Sequence, residues 1–403
     1  MTKPRGALAV LLLTIFVEMM GFGLIIPFLP FWAERFGASP DLVALLMSTY
    51  AICQLASAFG WGWASDRIGR KAIILVSLVG TVAAYFWLAE ASALWMLFGA
   101  RALNGAMGGT IPVAQAYVAD ISPPERRAHG IGLLGAAMGS GFILGPALGA
   151  VLAGGDAAAP DFKTAFLVAA GITGVAFLLG LVWLRNPPRA MAEAMPGGIR
   201  ARLKAIGVVL AMPAVAVPIG ANVLLSFVMS GVESTFVLWT ERQFGWGPRN
   251  NGYLFAFIGL TLILSQGVLV GRLTARLGEP RVAVLGAAVL AAGLAVPPLS
   301  AIMVPDLALP FIILGSLLLA AGIGISQPAL HALTSRNAPA DRQGAVLGAS
   351  QSCQSLARIV GPAVAGLLFA YAGRHVPYLV NAVITALAVA VALRFAPLSR
   401  RRS

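Results

Sequence analysis

An all-helical membrane protein, with about twelve spans arranged as two similar halves, is the fold class this sequence predicts, and three observations predict it. Of 403 residues, 59% are hydrophobic and 11% charged, with a mean hydropathy of +0.87. That is too apolar for a surface of ordinary polarity facing water. Apolar runs of about 20 residues, long enough to cross a hydrocarbon core, recur from end to end with short polar breaks. The basic turn GWASDRIGRK, Gly62 to Lys71, returns about 209 residues later on the logic of internal repeats as GRLTARLGEPR.

Taken in order, the spans read as 7–32, 41–63, 72–91, 93–118, 128–153, 164–184, 207–240, 250–270, 280–303, 308–333, 343–371 and 376–396. Lys3 and Arg5 ahead of the first run resemble a secretory leader, but the run continues to Trp32 and contains Glu18, so it is expected to stay attached. The break from Arg185 to Lys204, with Pro187, Pro188 and a Pro196-Gly197-Gly198 turn, reads as a linker. The expected organisation is an N-terminal bundle over 1–184, a cytoplasmic linker over 185–206 and a C-terminal bundle over 207–403.

The halves align beyond the basic turn. Gly62 maps to Gly271, Arg67 to Arg276 and Gly69 to Gly278, whereas Asp66 maps to Ala275. At an offset of about 216, Pro112 falls on Pro328, Glu125 on Asp341, Arg126 on Arg342, Gly132 on Gly348, and Gly145-Pro146 on Gly361-Pro362. The chain is a duplicated half, and only the first copy keeps the carboxylate of the turn.

A net charge of +13 would suggest nucleic acid in a soluble protein. Here about 21 of the 28 Lys and Arg fall at the termini and in alternate loops, the positive-inside asymmetry. Both termini are therefore expected in the cytoplasm, with Arg400, Arg401 and Arg402 as an anchor near anionic lipid. No nucleic-acid partner is expected. Cys53 and Cys353 lie in apolar runs as small hydrophobes, so no disulfide is expected. The sequence has no GxxxxGK[ST], HExxH or GxSxG pattern, and the chain as given leaves little room for a soluble catalytic or signalling domain. An enzyme or a receptor is the weaker reading.

Two six-span repeats joined by a cytoplasmic linker mark a secondary transporter, which holds its substrate near the midplane. With Gly62 to Lys71 after span 2, Arg101 to Gly105 in span 4, the loop ADISPPERRAHG and GFILGPALG in span 5, the chain resembles the major facilitator superfamily. Within it, the chain is most similar to drug:proton antiporters of the tetracycline-efflux type. The similarity covers nearly all of spans 1 to 6 and is looser afterwards. It implies proton-coupled efflux of small amphipathic compounds from a bacterial inner membrane by a monomer, with no metal or cofactor. A metabolite uptake or facilitative carrier of the same fold is the alternative. Ala84 and the acid-free stretch from Val282 to Met303 stand where the resemblance leads one to look for intramembrane acids, so tetracycline itself does not follow.

Four charges lie inside the spans: Glu18, Arg101, Glu233 and Arg358. Each costs at least about 2.5 to 3.5 kcal/mol at the bilayer centre and needs a reason. Glu18, with Phe22, Ile25 and Leu29 along its face, is a candidate for proton uptake or substrate contact; the alternative is a permanent ion pair with Arg101. Glu233 continues a polar stripe of Asn222, Ser226 and Ser230, a face expected to look into a wet cavity. Gln351, Gln354, Ser355 and Arg358 form a second stripe, and Arg101, Asn104 and Gln115 a third. These are substrate walls or interhelical glue.

Asp66 is a candidate latch of the cytoplasmic ends, together with Gly62, Arg67, Gly69, Arg70 and Arg126, or else a solvated loop acid; the resemblance implies span 11 as its opposing element. Gly139, Gly141, Gly145 and Gly149 are expected down one side of span 5, with Pro146 removing one backbone bond, permitting close contact and, by the resemblance, sealing the path in exchangers. His331 reads first as polar packing and second as a proton relay.

Overall fold

The computed structural model describes residues 4–152, 161–186, 206–339 and 342–399, and among these the regular structure is helical throughout. The linker residues 187–205, Lys3, Asp341 and Arg400 to Arg402 lie outside the described residues, as do the side chains of Glu125 and Arg126. Among the described residues, ten helices are long and apolar enough to cross a membrane. The fourth expected span is broken into two pieces, and the last is the shorter apolar helix near the C-terminus.

In chain order the first half contains α1 (Pro4–Ile25), α2 (Leu29–Arg35), α3 (Pro40–Ile68), α4 (Arg70–Ala89), α5 (Leu94–Gly108), α6 (Ile111–Ile121), α7 (Pro124–Leu152) and α8 (Phe162–Trp183). The second half contains α9 (Pro213–Phe244), α10 (Pro248–Leu264), a wide π turn at Ser265–Leu269, and α11 (Val270–Leu277). After these come α12 (Glu279–Met303), α13 (Ala308–Arg336), α14 (Gln343–Leu367) and α15 (Val376–Ser399).

Three expected spans differ in detail. The first ends at Ile25, and the chain turns through 26–28 into the short α2. The seventh begins at Pro213 after a separate turn of helix over 206–210. The fourth breaks at Gly109 and Thr110, because Pro112 has no N–H to give the carbonyl of Gly108 four residues back. That carbonyl is not orphaned, since Gln54 Nε2 donates to it at 3.2 Å. Pro218, inside α9, frees the carbonyl of Ala214 in the same way, and Asn337 Nδ2 donates to it at 2.8 Å. Two carbonyls that proline leaves without a helical donor are thus met by amide side chains, that of Gln54 on α3 and that of Asn337 just past the end of the helix Ala308–Arg336.

The chain forms two compact units, residues 1–196 with 240–256, and residues 197–239 with 257–403. In the first, α1 and α7 lie backbone to backbone. A Cβ on Gly141 would run into the Phe16 carbonyl, and one on Gly145 into the Met20 carbonyl and the Leu24 nitrogen. Gly23 returns the contact, since a Cβ there would stand 2.9 Å from the Phe142 carbonyl and the Pro146 ring, and one on Gly149 would stand 2.8 Å from the Phe28 ring. Gly139 has nothing within reach and does not belong to the contact face, because two residues along a helix turn it about 200°. Residues 240–256 pack into this unit: Gly252 abuts Ala150 and the Pro146 carbonyl, and Arg242 pairs with Glu34 at 3.0 Å.

In the second unit α12 and α13 meet at glycines, Gly286 against Gly322 and Ser326, and Gly293 against Gly315 and Leu319. Gly361 of α14 meets Ser230 and Phe227 of α9, as its repeat counterpart Gly145 meets α1. Small residues let helices approach closely where lipid offers no hydrophobic drive to bring them together.

Candidate transport and gating sites

In the first unit, α1, α3, α4 and α5 converge on Glu18. The half-buried Phe22 stands one turn further along α1, with its ring 5.0 Å from that of Tyr50 on α3. Gly108 at the end of α5 leaves the opening in which polar groups gather. A Cβ there would stand 2.6 Å from the Tyr50 hydroxyl, 3.2 Å from Glu18 Oε1 and 3.3 Å from Gln54 Nε2. Gln54 also donates to the Tyr50 hydroxyl at 3.1 Å. On α5, Asn104 is buried and lies within hydrogen-bonding reach of the buried Tyr85 hydroxyl of α4, which is seated over Gly21 of α1.

Arg101, one turn before Asn104, is 1% exposed. Its guanidinium carbon lies 4.6 Å from the centre of the Tyr50 ring and 5.7 Å from that of Phe22, a cation–π seat. Its Nη2 reaches only the Met47 sulfur at 3.9 Å, and Nε and Nη1 have no partner. Glu18 Oε1 is likewise buried without a partner. The permanent Glu18–Arg101 ion pair weighed from the sequence is not formed. Tyr50 turns its ring face to the cation, and its hydroxyl and Glu18 Oε1 both border Gly108.

Tyr50, Gln54 and Tyr85 were not among the residues singled out from sequence. A signal exists for the first two: Tyr50, Gln54, Ser57 and Trp61 recur at steps of four and three along span 2. Trp61 Nε1 donates to the Ala106 carbonyl at 2.6 Å, so this stripe faces α5. Gln115 of the third stripe is exposed on α6 and separated from Arg101 and Asn104 by the break in the span.

The basic turn is organised around Arg70. Its Nη1 pairs with Asp66 at 2.6 Å and donates to Ser65 Oγ at 2.5 Å, while Nε reaches Asp120 at 3.3 Å. Asp66 is half exposed, and Arg67 stacks on Trp63 at 3.9 Å. Gly69 takes φ of +100°, open to glycine and strained for other residues, and so lets α3 end and α4 begin within one residue. The Asn186 side chain fills the space over Gly69 and accepts from the Lys71 backbone N–H at 3.1 Å, capping α4. Gly62 has open space around it.

The repeat mapping reappears as geometry. Gly278 has φ of +77° in the place of Gly69. Glu279 and Arg336, the repeat counterparts of Arg70 and Asp120, pair at 2.5 Å. The clamp between the start of one helix and the end of the next is kept in both halves with its charges exchanged.

In the second unit the Asn222–Glu233 stripe turns largely toward α14 rather than into open space. Ser226 Oγ donates to Gln354 Oε1 at 3.3 Å and Ser230 Oγ to the Ala357 carbonyl at 3.5 Å. Gln354 is further tied to Ser350, and Arg358 donates to Ser355 at 3.1 Å. Asn222 is buried with both amide atoms unpartnered. Glu233 is half buried and has Arg358 as an electrostatic neighbour, so this carboxylate, unlike Glu18, faces a cation. Gln351 is exposed and His331 half buried. A separate void of about 10 Å³, the size of one water, lies among Trp239, Pro297, Pro298, Ser316 and Tyr378, with the buried Ser316 hydroxyl unpartnered.

A motif set repeated in two halves, glycine-to-backbone helix contacts and charges inside membrane-length helices mark a polytopic secondary transporter that moves small molecules across a lipid bilayer, not an enzyme. The chain matches the Major Facilitator Superfamily over residues 11–362 and again over 308–403, and it belongs to that family. It is 31% identical over 365 residues to the tetracycline resistance protein, class G, of Vibrio anguillarum, covering 89% of each chain. To the class B protein of Escherichia coli it is 32% identical, covering 89% of this chain and 86% of the relative. The crystal structure of the human organic anion transporter MFSD10 (TETRAN) superposes with a TM-score of 0.72 at 22% identity, covering 97% of this chain and 100% of that one, a likeness of fold.

Proposed function

We propose that this protein exports small amphipathic compounds across a bacterial inner membrane in exchange for protons, as a monomer with both termini in the cytoplasm, by alternating access. The observation that carries this reading is Glu18, a carboxylate about two thirds of the way along the first membrane helix, with a buried, unpartnered oxygen and no cation paired to it. A permanently charged group in that place would be poorly accommodated, whereas one that takes up and releases a proton has two tolerable states. An exchanger needs proton and substrate to bind in competition, and one midplane carboxylate supplies that: ionised, it attracts a cationic or donating group of the guest; protonated, it tolerates an empty site.

The tetracycline resistance relatives support efflux as the direction of transport, as does the α1–α7 contact at Gly141, Gly145 and Pro146. Asp66, Arg70 and the turn around Gly69 are assigned to gating, and Glu233 to a secondary role, because it has a neighbouring cation in Arg358 where Glu18 has none. The test is a compound screen in inside-out vesicles with an acid lumen. Concentrative uptake that a protonophore abolishes is the expected result. Uptake that only equilibrates and ignores the gradient would instead establish a facilitative carrier.

A further inference from the structure

We infer that the Glu18–Arg101 site takes a zwitterionic amphipath, its cationic group facing Glu18 and its acidic group facing Arg101. The inference rests on the transport reading above and names the ionic class of guest. A guanidinium carries five N–H donors and cannot shed its charge, so burying it demands an acceptor. At Arg101 only Nη2 has a contact, a weak one to Met47 Sδ, while Nε and Nη1 are open. Tyr50 and Phe22 supply π faces that ease the burial but accept no N–H bond in the guanidinium plane. The planar fork is thus left for an oxygen pair from outside the protein.

Glu18 Oε1 is open in the complementary sense, an acceptor without a donor. Arg101 sits over the Tyr50 ring, and Glu18 Oε1 borders Gly108 as the Tyr50 hydroxyl does, so a guest would meet its two counter-charges at separate points of one site with the Phe22 ring beside Tyr50. Asn104, beside the Tyr85 hydroxyl, and Gln54, which donates to the Tyr50 hydroxyl, add amide groups to the surroundings. A guest with only a cation would satisfy Glu18 and leave Arg101 buried without an acceptor. Protonation of Glu18 removes one of two anchors and so lowers affinity without abolishing it.

Rhodamine B, a cationic xanthene with a free carboxylate, and its ethyl ester form a matched probe pair. Their binding to the purified full chain at neutral pH is read by fluorescence polarisation. The wild type is expected to bind the free acid at least about tenfold tighter than the ester, as a charge-assisted fork contact would give. Arg101→Gln erases the preference by weakening the free acid alone, Arg101→Lys keeps part of it, and Glu18→Gln weakens both dyes alike. Equal or tighter binding of the ester by the wild type overturns the inference, as does binding of neither dye, and neither result depends on how a variant folds. So does an Arg101→Gln protein that loses both dyes equally. Pumping of the same dyes under a pH gradient is scored separately. Preference without pumping would sink the transport reading alone, and pumping without preference would sink this one.

Discussion

At the scale of single residues, the two intramembrane carboxylates differ in what surrounds them, and their substitutions should differ accordingly. Glu18→Gln mimics the protonated state permanently; it is expected to abolish pH-driven transport in vesicles while leaving folding intact. Glu233→Gln should lower transport by at most about tenfold, a barrier change of about 1.4 kcal/mol. The opposite order would move the proton path to α9. At the edge of the membrane, hydrogen bonds from the Thr164 side chain and backbone N–H hold the Asp161 carboxyl below its usual value at the start of α8. A depressed carboxylate pKa means that the cap stabilises above the ordinary aspartate range and is lost as pH falls through the depressed value. Asp161→Ala should therefore cost about 1 kcal/mol of local stability at neutral pH. Hydrogen exchange in the first turn of α8 reads this, and the difference should vanish in strong acid.

At the scale of elements, contacts between helices are set by what is missing as much as by what is present. Gly145→Val would drive a branched side chain into the backbone of α1 at Met20 and Leu24. Such overpacking costs roughly 1–3 kcal/mol or forces α1 and α7 apart. The expected result is a lowered melting temperature together with lost transport, whereas Gly139→Val, which meets open space, should leave both unchanged. The charge-exchanged clamps make a sharper prediction. Since Arg70–Asp120 in one repeat corresponds to Glu279–Arg336 in the other, the pair tolerates either polarity. Arg70→Glu should impair transport, and adding Asp120→Arg should restore it in part. A double variant no better than the single one would mean that Arg70 acts through Asp66 alone.

At the scale of the whole molecule, transport requires that the protein change the side to which its site opens, and Asp66 is the residue whose repeat partner, Ala275, lacks the charge. Asp66 is half exposed and paired to Arg70 one turn on, at a helix junction far along the chain from Glu18. Asp66→Asn is therefore expected to slow turnover several-fold while leaving equilibrium binding of a fluorescent substrate within error, because it biases the states without touching the guest. Transport and binding measured on one preparation decide this, and unchanged turnover would reduce Asp66 to a loop charge.

The sequence by itself determined that this chain spans a membrane about twelve times, is a duplicated half, and carries a small set of charges where charge is expensive. Hydrophobic run length, repeat spacing and loop charge are local quantities, and solvation in a bilayer acts on them directly. It also located Gly69 and Gly145 through their repeat partners, Gly278 and Gly361. Which of the intramembrane charges face a partner was decided only by tertiary structure, because contact between helices depends on rotation and tilt that no single helix encodes. Glu18 and Arg101 form no pair although they are opposite charges within one unit; Tyr50, a hydrophobic residue by composition, stacks on the cation, and its hydroxyl borders Gly108 as Glu18 does. The stripe from Asn222 to Glu233 reads as a wet wall in one dimension, and in three its serines are spent on α14. The break in the fourth span becomes tolerable only because Gln54, on another helix, reaches the carbonyl that Pro112 left open.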